Sequence, residues 1–192
     1  MPTTTKKTPS RKDLPLAELL LSEVLQKVSN AKTKAEKIKL LQRYNSQALR
    51  TCLIWNFDDS IYSNVPEGDV PYTPNDAPIG TDHTRLWNEY KGLYRFVKGG
   101  ADKLQRTRRE NLFIQLLENL HPDEAEIVVL IKDGGLQNKY RVTRAVVEEA
   151  FPEITWGKRD TYPRQGQRPQ QQQQQRRAPA QPQVPYLSLI HI

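Results

Sequence analysis

Apolar residues recur at helical spacing along most of the chain between residues 14 and 156. The first run predicts an amphipathic helix from about Leu14 to Ser29, with Asp13 as its cap. Its apolar face carries residues spaced four apart: Leu16, Leu20, Val24 and Val28. Later segments repeat this spacing, and no pair of alternating strands joined by a hairpin turn is evident. The pattern therefore predicts an all-α, compact multi-helix domain.

Polar residues that can cap helices mark where the next two helices begin. Thr33 and Glu36 have the spacing of a capping box, so a second helix is predicted to begin there and to end near Asn45. A third helix is predicted to follow Ser46 and to reach Phe57.

The segment from residue 58 to residue 82 is expected to be a long loop, because four prolines interrupt it. Loops of this length are usually functional or mobile, and Tyr62 and Tyr72 are candidates for contacts with a partner. A fourth helix is predicted from about Thr84 to Val97 and is expected to end at Gly99 and Gly100. Helical spacing places three aromatic residues of this helix in the core rather than in base-stacking positions: Trp87, Tyr90 and Tyr94.

A fifth helix, from about Asp102 to Leu120, precedes a run that ends in "LIKDGG", residues 130–135. ATP-dependent DNA ligases carry their nucleotide on the lysine of a K-x-D-G motif, but Lys132 and Asp133 are adjacent here. We interpret the run as a helix that begins at Pro122, with a buried strand over residues 127–131 as the alternative. Gly134 is then expected in the left-handed position after the last turn.

Lys132 is expected to lie on the surface in that last helical turn. Its replacement by alanine should then change stability by no more than about 0.5 kcal/mol. A polar link leads from this turn to a last helix, which is predicted from Thr143 to Phe151.

Charge separates the ends of the chain from its middle. Residues 1–12 contribute +4 and residues 158–192 contribute +5 to a total of +7, so residues 13–157 sum to −2. We predict a disordered basic tail over 1–12, a helical domain over 13–157 and a disordered Gln/Pro/Arg-rich tail over 158–192. The final "LSLIHI" is either a docking motif or translated adapter sequence, and we favour the latter.

Cys52, as the single cysteine, excludes an internal disulfide and is predicted to pack as a small hydrophobic residue. The sequence contains neither an apolar signal segment nor a stretch long enough to span a bilayer. We therefore expect a cytoplasmic protein without membrane contact.

Two blocks of the chain resemble the DNA-binding domain of tailed-phage ATP-dependent DNA ligases. "LLLSEVLQKVSNAKTKAEKIKLLQRYNSQALRTCLIWNFD" is similar to the opening of that domain, and "RENLFIQLLENLHPDEAEIVVLIKDGGLQNKYRVTRAVVEEAFPEI" is similar to its end. The closing pattern is carried by four residues: Val147, Phe151, Pro152 and Ile154. The resemblance covers roughly residues 16–156 and implies an all-helical domain that grips duplex DNA through the minor groove and the backbone.

Two features depart from the ligase family, namely the turn over residues 133–136 and the proline-rich loop. The chain also resembles small uncharacterised proteins of tailed phages, a family of unknown function. That resemblance implies the cytoplasm of an infected host cell.

Basic residues after residue 90 form the candidate DNA-contact surface. On a regular helix Lys91, Arg95 and Lys98 would share one exposed stripe, and "KLQRTRRE" follows closely. Arg141 and Arg144 flank the last helix, where free amides would add to a phosphate site. The candidate contacts are Lys91, Arg95, Lys98, Lys103, Arg106, Arg108, Arg109, Arg141 and Arg144. Lys32, Lys39 and Arg43 form a weaker stripe. The alternative is that these runs are solvated helix faces.

Residue patterns typical of enzymes are missing. We find no nucleophile arrangement, no glycine-rich phosphate loop and no nucleotide motif, and neither His83 nor His121 has a metal-ligand companion. We therefore predict a non-catalytic phage accessory module without cofactor or metal, which binds the DNA backbone or a replication or packaging protein. The alternatives are a protein-interaction or virion-associated adaptor and a truncated ligase. A one-sided basic groove would favour DNA binding, and an exposed apolar patch would favour the adaptor.

Overall fold

The computed structural model describes residues 19–77 and 84–157, and its regular structure within these ranges is helical. The α-helices are α1 (Leu21–Asn30), α2 (Lys34–Arg43), α3 (Gln47–Phe57), α4 (Leu86–Glu89), α5 (Arg106–Asn119), α6 (Pro122–Lys132), α7 (Leu136–Tyr140) and α8 (Arg144–Ala150). A 3-10 helix, Tyr90–Phe96, continues α4. The predicted all-α class is confirmed. The predicted tails, over residues 1–12 and 158–192, and the predicted cap Asp13 lie outside the described residues.

Helix starts that depend on local caps are confirmed. The Thr33 hydroxyl accepts a hydrogen bond from the Glu36 amide at 3.2 Å, and the Glu36 carboxylate accepts one from the Thr33 amide at 3.2 Å. The Ser46 hydroxyl accepts a hydrogen bond from the Leu49 amide at 3.1 Å. Both caps supply acceptors to amides that the first turn leaves without a helical partner.

Helix α6 is the centre of the fold, because it packs against α1, α3, α5 and α7. Its side chains at Ala125, Ile127, Val128 and Ile131 are buried, so a helix rather than a strand occupies this apolar run. At its end the Gly135 amide donates to the Leu130 carbonyl at 2.8 Å and the Gly134 amide donates to the Ile131 carbonyl. This pair of bonds is a Schellman motif, and Gly134 has the expected left-handed φ of +70°.

Glu124, on the first turn of α6, joins the starts of two other helices. Its carboxylate accepts hydrogen bonds from the Leu21 amide at 2.9 Å and from the Leu86 amide at 2.8 Å. Leu21 and Leu86 are the first residues of α1 and α4, whose first amides have no partner within their own helices. Within the described residues α1 therefore begins at Leu21, later than its apolar spacing predicts.

The predicted fourth helix is wrong in its second half. Only Leu86–Glu89 is α-helical, and Tyr90–Phe96 tightens into a 3-10 helix with about three residues per turn. Residues three apart then share a face, so Leu93 and Phe96 turn into the core. Tyr94 falls on a different face and is 55% exposed, so the expectation that it packs in the core is also wrong.

The predicted polar link before the last helix is partly helical. Residues 136–140 form α7, in which Leu136 and Tyr140 are buried. The Leu136 amide donates to the Asn56 side-chain carbonyl at 2.9 Å. This cap comes from a residue 80 positions earlier, so no local sequence signal announces it.

Among the described residues, no helix has the length and apolar character needed to cross a membrane.

Candidate nucleic-acid interface

A groove beside the 3-10 helix brings together two of the predicted basic contacts and several aromatic rings. Its volume is about 520 Å³. Helix α3 contributes Thr51, Ile54 and Trp55, and the facing wall runs from Tyr90 to Gly100 and includes Lys91, Tyr94 and Lys98. The exposed part of the Tyr94 side chain therefore faces this groove, which is also lined by Lys91 and Lys98.

The 3-10 geometry explains why Lys91 and Tyr94 belong together. They are three residues apart, so their side chains point in nearly the same direction. Arg95 instead lies over Gly92 and lines a separate cleft with Glu89. The single stripe expected for Lys91, Arg95 and Lys98 is therefore divided between two sides of the helix.

Backbone pairing with residues 62–64 fixes one wall of the groove. The Asn64 amide donates to the Phe96 carbonyl at 2.7 Å, and the Lys98 amide donates to the Tyr62 carbonyl at 2.9 Å. The Lys98 ammonium lies 5.9 Å from the centre of the Tyr62 ring, within cation–π range. The start of the proline-rich loop is thus anchored where it meets the groove.

Trp55 forms part of the groove floor and is tied to the end of α6 through a serine. Its indole nitrogen donates to the Ser63 hydroxyl at 3.0 Å, and that hydroxyl donates to the Lys132 carbonyl. Trp55 is only 4% exposed. Its ring is therefore a fixed support rather than a mobile surface residue.

Arg109, one of the predicted contacts, is 4% exposed. Its guanidinium donates to the carbonyls of Arg95 at 3.0 Å, Ala101 at 2.8 Å and Leu104 at 3.0 Å. These bonds join α5 to the turn that follows the 3-10 helix. Arg109 therefore stabilises the turn and does not face solvent, and its neighbours in the sequence, Arg108 and Glu110, give no sign of this.

Lys103, Arg106 and Arg108, the neighbours of Arg109, are exposed. Arg106 forms an ion pair with Glu110, one turn along α5, at 2.7 Å. The segment from Arg85 to Arg109 contains eight basic and two acidic residues. This local excess contrasts with the rest of residues 13–157, which sums to −8 because the whole span sums to −2 and this segment to +6.

Arg141 and Arg144 lie away from the groove lining. Arg144 pairs with Glu148 and with Asp59, each at 2.7 Å. The hydrogen bond to Glu148, followed by the one to Asp59, raises the pKa of the guanidinium above its ordinary value. Arg141 is exposed and adopts a left-handed backbone with a φ of 46°. In α8 the amides of Val146 and Val147 donate to the Thr143 carbonyl. The phosphate site expected at the start of this helix stays a prediction.

Lys132 is not the surface residue that the sequence predicts, because its side chain is 0% exposed. Its ammonium donates to the Gly68 carbonyl at 2.7 Å and to the Asp133 carboxylate at 2.6 Å. Asp133 also accepts from the Gly68 amide at 3.3 Å. The lysine and aspartate of "LIKDGG" therefore form a clamp on the proline-rich loop.

Burial shifts the pKa values of two interior groups, the Cys52 thiol and the Glu124 carboxyl. Burial raises the pKa of the Cys52 thiol from 9.0 to about 12, and the nearby Glu124 carboxylate adds to the rise. The fully buried Cys52 thus packs as predicted. Burial also raises the pKa of Glu124, against the opposing effect of its two backbone hydrogen bonds.

His121 caps α6, since its Nδ1 accepts from the Asp123 amide at 3.2 Å. This agrees with a histidine at a helix entrance, whereas His83 lies outside the described residues. Within residues 19–77 and 84–157, no three His, Cys, Asp or Glu side chains cluster as a metal site would require.

Comparison with known proteins extends across most of the helical region. No curated protein and no solved structure matches the chain significantly. Residues 24–138, more than half of the chain, match a family described as a family of unknown function. The match runs from α1 into α7 and includes the groove, the Lys132 clamp and the Glu124 carboxylate. The chain therefore belongs to the DUF6433 family.

Proposed function

We propose that the protein is a non-catalytic tailed-phage accessory module that binds the backbone of DNA in the cytoplasm of the infected host cell. The observation that carries the proposal is the excess of basic residues between Arg85 and Arg108, seven against two acidic residues, beside a groove with an exposed tyrosine. A local basic surface on a nearly neutral fold is the electrostatic footprint of a polyanion site. The resemblance to the ligase DNA-binding domain supports the same function.

The surface that we propose contains the exposed or half-exposed members of the predicted set that precede Arg109: Lys91, Arg95, Lys98, Lys103, Arg106 and Arg108. Backbone phosphates are the expected ligands, so affinity should vary little with DNA sequence. Binding should weaken as salt rises, with a slope of about −0.9 for each duplex phosphate contact.

Fluorescence anisotropy with labelled DNA and the full chain tests the proposal. A Lys91→Glu, Lys103→Glu, Arg108→Glu variant should bind DNA at least about tenfold more weakly and with a shallower salt slope. The matched comparison is the weaker stripe, Lys32→Glu, Lys39→Glu, Arg43→Glu, which changes the net charge equally, also replaces exposed residues and should reduce binding less. Both variants retain both terminal segments, so equal losses would show that general charge, not this surface, drives binding.

The non-catalytic part of the proposal is supported by the position of Lys132. Its ammonium is buried and donates to Gly68 and Asp133, whereas a nucleotide-carrying lysine must be reachable. Incubation of the full chain with labelled ATP should leave no covalent adenylate. A label that disappears in Lys132→Ala would overturn this part and favour the truncated-ligase alternative.

The second candidate function is a protein-interaction or virion-associated adaptor. It is favoured by one observation, the 55% exposure of Tyr94 in a groove with apolar walls. A phage replication or packaging protein would then be the partner. Loss of a protein contact in Tyr94→Ala, together with unchanged DNA affinity, would support this function instead.

A further inference from the structure

We infer that the groove beside the 3-10 helix binds single-stranded nucleic acid, with an unpaired base stacked on Tyr94 and neighbouring phosphates near Lys91 and Lys98. The inference rests on the proposed function and makes it narrower, because it specifies the form of nucleic acid and the residue that receives a base.

Tyr94 has the exposure that a stacking residue needs. It is 55% exposed and is the one large hydrophobic side chain, among the described residues, that lies open to solvent. The other apolar residues of its helix, Leu93 and Phe96, are buried, so the helix stays anchored while the Tyr94 ring remains uncovered. A flat, fixed aromatic face attracts any base, since every base has a π-face.

Two lysine side chains line the same groove as the Tyr94 ring and supply positive charge beside it. Lys91 shares the face of Tyr94, and Lys98 lies past the end of the same helix and also lines the groove. Lysines act as flexible point charges, which suits a backbone whose phosphates take variable positions. The charge excess over residues 85–108, seven basic against two acidic residues, favours a polymer with repeated negative charge over a neutral peptide.

The shape of the site selects an unpaired strand. In a duplex each base face is covered by the next base, and exposing one costs a few kcal/mol of stacking and pairing. The groove volume of about 520 Å³ is that of a small-ligand site, which typically holds about 300–1,000 Å³. Gly99 and Gly100 line the groove without side chains, which leaves room for a strand beside the backbone there.

Direct titration of the full chain tests the inference. The probes are a labelled oligo-dT of about 12 nucleotides, within the site sizes of about 4–16 nucleotides known for single-strand binders, and a blunt duplex of similar length. Tyr94→Ala should lower the affinity for oligo-dT about 5- to 100-fold, which corresponds to the loss of one stacked base. Its affinity for the duplex should change less than about twofold, because duplex binding uses the charges alone.

Two further variants make the result specific to stacking. Tyr94→Phe keeps the ring and removes only the hydroxyl, so it should bind oligo-dT nearly as well as the wild type. Trp156→Ala removes a half-buried aromatic side chain that does not line the groove, and it should leave oligo-dT binding unchanged. Thermal unfolding of each variant confirms that the fold persists.

The outcomes separate the inference from the proposed function. If both probes bind and Tyr94→Ala weakens neither, the inference is wrong while backbone binding stands. If neither probe binds the wild-type chain, the proposed function fails and the inference fails with it. A loss in Tyr94→Ala that Tyr94→Phe does not restore would also overturn the stacking role.

Discussion

The ammonium of Lys132 lies 2.7 Å from the carbonyl oxygen of Gly68, so the last residue of α6 holds a loop residue that is 64 positions earlier in the chain. Its second bond, to Asp133, places a positive and a negative group together beneath this loop. Ser63, in the same loop, donates to the Lys132 carbonyl and accepts a hydrogen bond from the Trp55 indole. The end of α6 therefore also supports Trp55, which lines the groove.

Lys132→Ala should therefore lower the free energy of unfolding by about 1–3 kcal/mol, because it removes the hydrogen bonds that the buried ammonium donates to the Gly68 carbonyl and the Asp133 carboxylate. The expected loss stays below that of a fully buried ion pair, since the Asp133 side chain is 32% exposed and water can replace its partner. Lys132→Met, which keeps the aliphatic stem, should lose a similar amount if the donors matter more than packing. Urea unfolding measures all variants.

Lys39→Ala is the matched control for the clamp. Lys39 is an exposed lysine on α2, and a surface change of this kind is expected to stay within about 0.5 kcal/mol. Equal effects of Lys132→Ala and Lys39→Ala would contradict the clamp and restore the surface position that the sequence suggests.

Local signals in the sequence predict the features that depend on neighbouring residues. Thr33 with Glu36, Ser46 before α3 and Gly134 after α6 all act through atoms within a few positions, and each is where the sequence places it. The all-helical class follows for the same reason, since apolar spacing is a local property.

Features that depend on distant residues were not predictable in this way. The side-chain carbonyl of Asn56 caps α7, and the carboxylate of Glu124 caps α1 and α4, in each case across large separations in sequence. The spacing of Leu86, Tyr90 and Leu93 is that of an α-helix, so the pattern gives no sign of the tightening into a 3-10 helix that exposes Tyr94. The predicted contact set therefore includes Arg109, which is buried, and leaves out Tyr94.

Two adjacent glycines offer a direct test of the turn after α6. Gly134 has a φ of +70°, so Gly134→Ala should cost about 1 kcal/mol in the free energy of unfolding. Gly135 has a φ of −95°, and an added Cβ would meet its nearest atoms at 3.5 Å, which is ordinary contact. Gly135→Ala should thus be neutral or slightly stabilising. A larger loss at Gly135 than at Gly134 in urea unfolding would refute this account.

Glu124 should make stability depend on pH. Because burial raises its pKa in the folded protein, its contribution is fully present below the ordinary value of 4.5 and is lost as pH rises through the folded pKa. Glu124→Gln removes this titration but offers one acceptor to the two amides of Leu21 and Leu86. We expect Glu124→Gln to lower the free energy of unfolding by about 1–3 kcal/mol at low pH. The difference from the wild type should become smaller as pH rises, because ionisation of the buried carboxyl destabilises only the wild type.

Urea unfolding of wild type and Glu124→Gln at several pH values above 4.5 measures this difference, and subtraction removes the titration of other groups. Glu23→Gln is the control, since Glu23 lies near Glu124 and raises its pKa. Removing that neighbouring charge should shift the pH dependence slightly towards acid without abolishing it. A difference that widens with pH would show that Glu124 is stabilised by its charge rather than penalised by burial.

Gly100 connects the fold to the groove, and its substitution should disturb both. A Cβ on Gly100 would stand 1.9 Å from the Tyr94 carbonyl oxygen, so the backbone of the 3-10 helix must shift. We expect Gly100→Ala to lower the free energy of unfolding by about 1–3 kcal/mol, as overpacking usually does. Because the displaced residue is Tyr94 itself, oligo-dT affinity should fall in the protein that remains folded.

Gly92 provides the comparison within the same helix. A Cβ there would meet the Arg95 guanidinium at 2.7 Å, the far end of a flexible side chain that can move away. Gly92→Ala should therefore change stability and oligo-dT affinity much less than Gly100→Ala, and the Tyr94 ring signals in an NMR spectrum should stay in place. If Gly100→Ala left those signals unmoved while reducing affinity, the close approach to the Tyr94 carbonyl would not be what positions the ring, and the link between this turn and the groove would be lost.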